Sequence, residues 1–121
     1  MNKPLDVKKR IDSFIYAGRG IKTLIATQPN AWIHLLATGL VLLLAYFLQV
    51  QRWEWVALIL AIGLVWLGEA MNTAVEFVAD AVSQDYNENI KHAKDVGAGG
   101  VLLAAIIAAV IAAIVFLPHL I

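Results

Sequence analysis

Three uncharged runs constrain this chain more than any other feature: Ala31 to Val50, Val56 to Gly68 and Val96 to Leu117 contain no Asp, Glu, Lys or Arg. A helix rises about 1.5 Å per residue, so the first and third runs measure about 30 Å, the thickness of a bilayer's hydrocarbon core. A soluble fold of 121 residues has no interior large enough to hide them. The hydrophobic fraction of 61% agrees, since ordinary globular chains hold roughly 45–50% apolar residues. The expectation is an all-α membrane protein of one domain, in which lipid replaces much of a conventional core.

The polar punctuation sets the boundaries. Residues 4 to 28 mix Ile11, Phe14, Ile15, Ile21 and Leu24 with Lys8, Lys9, Arg10, Arg19 and Lys22. Apolar positions at helical spacing flanked by basic residues predict an amphipathic helix lying on the membrane surface, broken near Gly18 and Gly20. Gln28, Pro29 and Asn30 form a breaker, after which a first span covers 31–50. Trp53 and Trp55 mark an interfacial turn, and a second span follows over 54–79. The stretch from Ser83 to Lys94 reads as a polar loop, a third span covers 96–117, and Pro118 ends it.

Charge gives orientation and excludes several classes. Lys3, Lys8, Lys9, Arg10, Arg19 and Lys22 precede the first span, Lys91 and Lys94 follow the second, and Arg52 stands alone on the other side. The positive-inside rule predicts a cytoplasmic N-terminus. A formal net charge of zero argues against a nucleic-acid partner, and the absence of cysteine removes thiol chemistry and thiolate metal sites. No compact apolar stretch in the first 30 residues predicts a cleavable signal peptide. Three spans make a thin bundle, and the small residues Gly97, Ala98, Gly99, Gly100, Ala104 and Ala105 suit close helix contact, so a homo-oligomer is expected.

The second span carries the chemistry. Relative to Glu69, an ideal helix puts Asn72 at about 300°, Glu76 at about 340° and Asp80 at about 20°, one narrow stripe. Glu69 lies about 20 Å along the helix from Val56 and Glu76 about 30 Å, so the stripe occupies the inner leaflet and its cytoplasmic edge. A carboxylate within a span costs at least about 2.5–3.5 kcal/mol and points to function. The plainer alternative is two interfacial acids, with Glu69 protonated or paired to a neighbouring helix. Oxygen ligands without His or Cys clustering suit Mg²⁺, and Lys94 with Asp95 enters the third span on the same side. Carboxylates, a metal and a basic group beside a lipid surface suggest phosphoryl transfer to a lipid alcohol.

The run Glu69-Ala-Met-Asn72-Thr-Ala-Val-Glu76, followed by Asp80 and by Ala93-Lys94-Asp95-Val-Gly-Ala, resembles the signature of the prokaryotic diacylglycerol kinase family. The resemblance covers nearly the whole chain, including Tyr16-Ala-Gly-Arg19-Gly20-Ile-Lys22. It implies a single lipid kinase domain over 1–121, a homotrimer in the bacterial inner membrane, and ATP with Mg²⁺. The acceptor it implies is diacylglycerol or undecaprenol. Residue by residue, Glu69 resembles the general base, Glu76 a magnesium ligand, and Lys94 with Asp95 part of the nucleotide site, while Asn72 would help hold the reacting groups. Asp80, Tyr16, Asp85, Tyr86, Asn87 and a basic residue at Lys9 or Arg10 match further nucleotide-side positions. The family's second metal-ligating glutamate is replaced here by Gln28.

Other readings compete. A degenerate member could act as a lipid-binding scaffold, and an acidic stripe could serve an ion or proton carrier. Asp85, Asn87 and Asn89 imitate the start of a calcium loop, but Ile90 and Val96 stand where glycine and glutamate belong. His34 reads as a packing or hydrogen-bonding residue, and Trp53, Trp55 and Trp66 as interfacial or lipid-facing. Flanking sequence around Asn30 to Leu35 and Phe116 to Pro118 looks somewhat like the undecaprenol branch.

Overall fold

The computed structural model describes residues 6–121 as four helices: α1 Val7–Thr27, α2 Pro29–Phe47, α3 Arg52–Val82 and α4 Glu88–Leu120. Lys3 and the first two residues of the expected surface helix lie outside the described residues. Helices α2, α3 and α4 are each long and apolar enough to cross a membrane.

Local chemistry explains where each helix starts and stops. Asp6 caps α1 by accepting from the Lys9 backbone N–H at 3.2 Å, which satisfies one of the donors a helix start leaves free. The helix then runs unbroken through Gly18 and Gly20, where a break was expected. Glycine costs only about 1 kcal/mol in a helix interior, and neither residue adopts positive φ. Gln28 is extended, and Pro29 opens α2 in its first turn, where the missing N–H is not needed.

The turn between α2 and α3 begins earlier than the end of the uncharged run. Gln49 takes a left-handed φ of 52°, and the Val50 N–H reaches back to the Ala45 carbonyl at 3.3 Å. This is a Schellman-type ending, made with glutamine where glycine is usual. It tucks Val50 into a buried cluster with Ala45, Leu58, Val115 and Phe116, which joins α2, α3 and α4 near one end.

Two expectations for α4 are corrected. The polar loop is confined to the stretch from Ser83 to Asn87, because Asn87 Oδ1 accepts from the N–H groups of Asn89 (2.9 Å) and Ile90 (3.2 Å) and starts the helix at Glu88. The charges that read as loop become pairs one turn apart, Lys91 with Asp95 and His92 with Glu88. Pro118 does not end the helix, which continues to Leu120. Proline removes a single donor there, and the next residue is pinned: His119 Nε2 lies 3.1 Å from both carboxylate oxygens of Glu54, which also accepts from the Gln51 N–H at 2.9 Å.

Helices α3 and α4 form an antiparallel pair along most of their length, whereas α2 meets α3 over a shorter stretch. A side chain built at Gly68 would stand 3.5 Å from Ala104 Cβ and 3.8 Å from the Gly100 carbonyl, so the backbones cross closely there. Of the small residues expected to mediate contact, Gly97 and Ala104 face α3, while Gly99 opens on free space. The remaining apolar surface, including Leu36, Leu40, Leu60, Leu103 and Ile114, is exposed. Helix α1 buries only Leu24 fully, and leaves Val7, Ile11 and Phe14 exposed.

Leu58 is 1% exposed in the cluster that joins three helices. Leu58→Ala leaves a cavity without the water-transfer term of a soluble core, and is expected to destabilise the protein by about 1–3 kcal/mol, measured by unfolding in detergent micelles.

Candidate active site

The four acidic and amide residues of α3 do share one face, but the structure divides them into two groups. The inner group is Glu69 and Asn72. Glu69 is 2% exposed, and its Oε2 lies 3.2 Å from His34 Nε2 on α2. The hydroxyl of Thr73, also buried, donates to the Glu69 backbone carbonyl at 2.8 Å, a local bond that ties the side chain to its own helix. Asn72 presses against Gly97 of α4, and among the described residues its buried Oδ1 has no hydrogen-bond partner. Leaving such an acceptor unpaired costs stability.

The outer group stands at the end of the same helix pair. Lys94 Nζ donates to Asp80 Oδ1 at 2.8 Å, joining α4 to α3. Glu76, one turn before Asp80, is half-buried and near enough for its charge to act on the same ammonium. Asp95 turns the other way and pairs with Lys91 at 2.7 Å. Lys94 and Asp95, adjacent in sequence, therefore serve different partners, as the roughly 100° step of a helix requires.

The other expected site residues are not drawn in. Lys9, Arg10 and Tyr16 are exposed on α1, and among the described residues no hydrogen bond or ion pair links their side chains to α3 or α4; Tyr16 instead faces the Arg19 guanidinium at 5.9 Å. Gln28 sits in the joint between α1 and α2, and its amide donates to Thr27 Oγ1 at 3.3 Å. Asp85 and Tyr86 are exposed in the short loop, and Asn87 is occupied in capping α4.

Three residues join the inner group that the sequence did not flag for it. His34 contacts Glu69 directly. Trp66, expected only to face lipid, donates its indole N–H to Thr38 Oγ1 at 3.1 Å and meets the His34 ring edge-on at 5.9 Å. The signal was available only as spacing: His34 and Thr38 are one turn apart on α2, as Trp66 and Glu69 nearly are on α3.

A family model described as prokaryotic diacylglycerol kinase matches residues 15–116. The chain belongs to that family. The prokaryotic diacylglycerol kinases include relatives of both expected kinds. The chain is 33% identical to an undecaprenol kinase of Bacillus subtilis over 95% of this chain and 94% of that one. It is 41% identical to a diacylglycerol kinase of Synechocystis over 89% of this chain and 62% of the relative. With the diacylglycerol kinase of Escherichia coli it shares 34% identity, over 86% and 85% of the two chains. As a prokaryotic diacylglycerol kinase family member the chain is an ATP-dependent lipid kinase, and nothing favours a non-enzymatic scaffold.

The contact between Asn72 and Gly97 gives a test that separates site from fold. In Gly97→Ala the new methyl meets Asn72 Oδ1, so the amide must turn while the helix itself gains from alanine. Turnover is expected to fall at least about tenfold, with no loss of thermal stability in micelles.

Proposed function

We propose that this protein transfers the γ-phosphate of ATP to the hydroxyl of a membrane lipid alcohol, diacylglycerol or undecaprenol, with Glu69 as the general base. The observation that carries the reading is Glu69 itself, a carboxylate 2% exposed in the span whose one side-chain partner among the described residues is His34. A carboxylate held in place within the span can take the proton of a lipid hydroxyl as its oxygen attacks, the work of a general base. The lipid oxygen attacks the γ-phosphorus as its proton passes to Glu69, and the bond from γ-phosphorus to the bridging oxygen breaks, its electrons leaving with ADP.

Lys94, held at Asp80, is the cation available to nucleotide phosphates at the cytoplasmic edge, and Asp95 flanks it. Asn72, one turn beyond Glu69 on the same face, would help hold the reacting groups. Exposed Lys9, Arg10, Tyr16, Asp85, Tyr86 and Asn87 would close on the nucleotide from the cytoplasmic side. Among the described residues none of them bonds to the inner group, which suits a homotrimer in which they meet the site of a neighbouring copy. The exposed apolar surface of α2 to α4 supports both that assembly and the bacterial inner membrane as its setting, with the basic N-terminal helix on the cytoplasmic face.

We take the metal to be magnesium, on the chemistry of the donors the sequence offers. Among the described residues no group of three or more His, Cys, Asp or Glu could hold a metal unaided. That suits an ion which takes one or two carboxylates and completes its shell with phosphate and water. Glu76 would supply the carboxylate and Gln28 an uncharged amide oxygen. Bound there, Mg²⁺ neutralises charge gathering on the phosphate oxygens.

Two experiments test the proposal. Purified protein in lipid with Mg·ATP should phosphorylate diacylglycerol or undecaprenol, and Glu69→Gln should lower kcat by at least about 10²-fold, the contribution of a general base, with ATP affinity unchanged. No phosphorylated lipid from either acceptor would sink the kinase reading, and wild-type turnover in the variant would remove Glu69 as base. Gln28→Glu adds a charge to the metal site and should lower the Mg²⁺ concentration at half-maximal rate; an unchanged requirement would exclude Gln28 as a ligand.

A further inference from the structure

We propose that His34 is a positioning residue for the phosphoryl transfer, holding one oxygen of Glu69 so that the other faces the lipid hydroxyl. The proposal rests on Glu69 acting as the base. His34 Nε2 lies 3.2 Å from Glu69 Oε2, with the two side chains 18% and 3% exposed. Glu69 Oε1 has no hydrogen bond among the described residues, yet unlike Asn72 Oδ1 it is not sealed off. One oxygen is thus occupied and the other is free to accept a proton.

The imidazole is itself held. Trp66 meets it edge-on, with ring planes at 65°, and the Trp66 indole N–H is fixed by Thr38 one turn along α2. Two polar rungs, His34 to Glu69 and Trp66 to Thr38, therefore cross from α2 to α3. Within lipid such rungs hold helices that apolar contact alone does not draw together. They also limit the rotation of a glutamate that has three rotatable bonds and, among the described residues, no other side-chain partner. A base must stay within hydrogen-bond reach of the proton it takes, and a displacement of about 1 Å can cost about 10²-fold.

In the step itself His34 keeps its proton. With the ring in its Nε2–H form it donates to Oε2 before and after transfer. The hydroxyl proton passes to Oε1 as the new oxygen–phosphorus bond forms and ADP leaves with the electron pair of the broken one. The same contact explains why a carboxylate is tolerated at this depth, since a donated hydrogen bond offsets part of the lost hydration.

The test compares His34→Gln, whose amide donor reaches about as far as Nε2, with His34→Met, which fills similar space and donates nothing. His34→Met is expected to lower kcat about 10- to 100-fold, the value of a hydrogen bond to a charged group, at unchanged KM for Mg·ATP, while His34→Gln keeps kcat within about threefold. Wild-type kcat in His34→Met, or equal loss in both variants, overturns the proposal. If His34→Met does not fold, Thr38→Val frees Trp66 and loosens the imidazole. A fall in kcat at unchanged KM then supports the role, and an unchanged kcat overturns it. Glu69→Gln run in parallel separates the two claims: if it is inactive while His34→Met is normal, only the role of His34 is lost, and if it is active both are lost.

Discussion

Inside a bilayer, apolar side chains gain nothing by leaving lipid for protein, so helices are held by how closely their backbones approach and by the few polar groups that can meet. The close crossing of α3 and α4 at Gly68, Gly97 and Ala104 is that approach, and the rest of the structure is hung from it. It brings Asn72 against α4, carries Asp80 to Lys94 at one end, and carries Glu54 to His119 at the other. Each polar contact then fixes the register of the pair more firmly than the apolar surface between them could.

The chemistry asks little more of the protein than this. Phosphoryl transfer needs positioning and charge neutralisation, with almost no covalent work by side chains. Two carboxylates, an amide and one lysine form a small set, and a helix pair with one crossing partner can carry it. The structure divides them into an inner, nearly dry group and a wetter group at the end of the helix pair.

The architecture was legible because its signals are local. Two uncharged runs of bilayer length and a shorter one between them announced three helices, and the 3.6-residue period put Glu69, Asn72, Glu76 and Asp80 on one face. Signals that depend on a second helix were not legible. The partners of Lys94 and Asp95 follow from the register of α3 against α4, and His34 meets Glu69 across 35 positions of sequence. The start of α4 was hidden for a different reason: its first turns are polar because they are exposed, and composition alone does not separate an exposed helix from a loop. Gly18, Gly20 and Pro118 misled because a breaker's cost, about 1 kcal/mol for glycine and about 3 for proline, is small beside the neighbouring turns that hold each helix.

Helix α3 runs 31 residues without interruption, about 46 Å of rod against roughly 30 Å of hydrocarbon. Its first turn is fixed by Trp53, whose indole is bonded to Gln51 at 2.8 Å, and by the Glu54 to His119 clasp. From Trp53 to Glu69 is about 24 Å of helix. The molecule thus sets the depth of Glu69 from the interface at Trp53, and the acyl-chain length of the host lipids determines how near a lipid headgroup comes to that carboxylate.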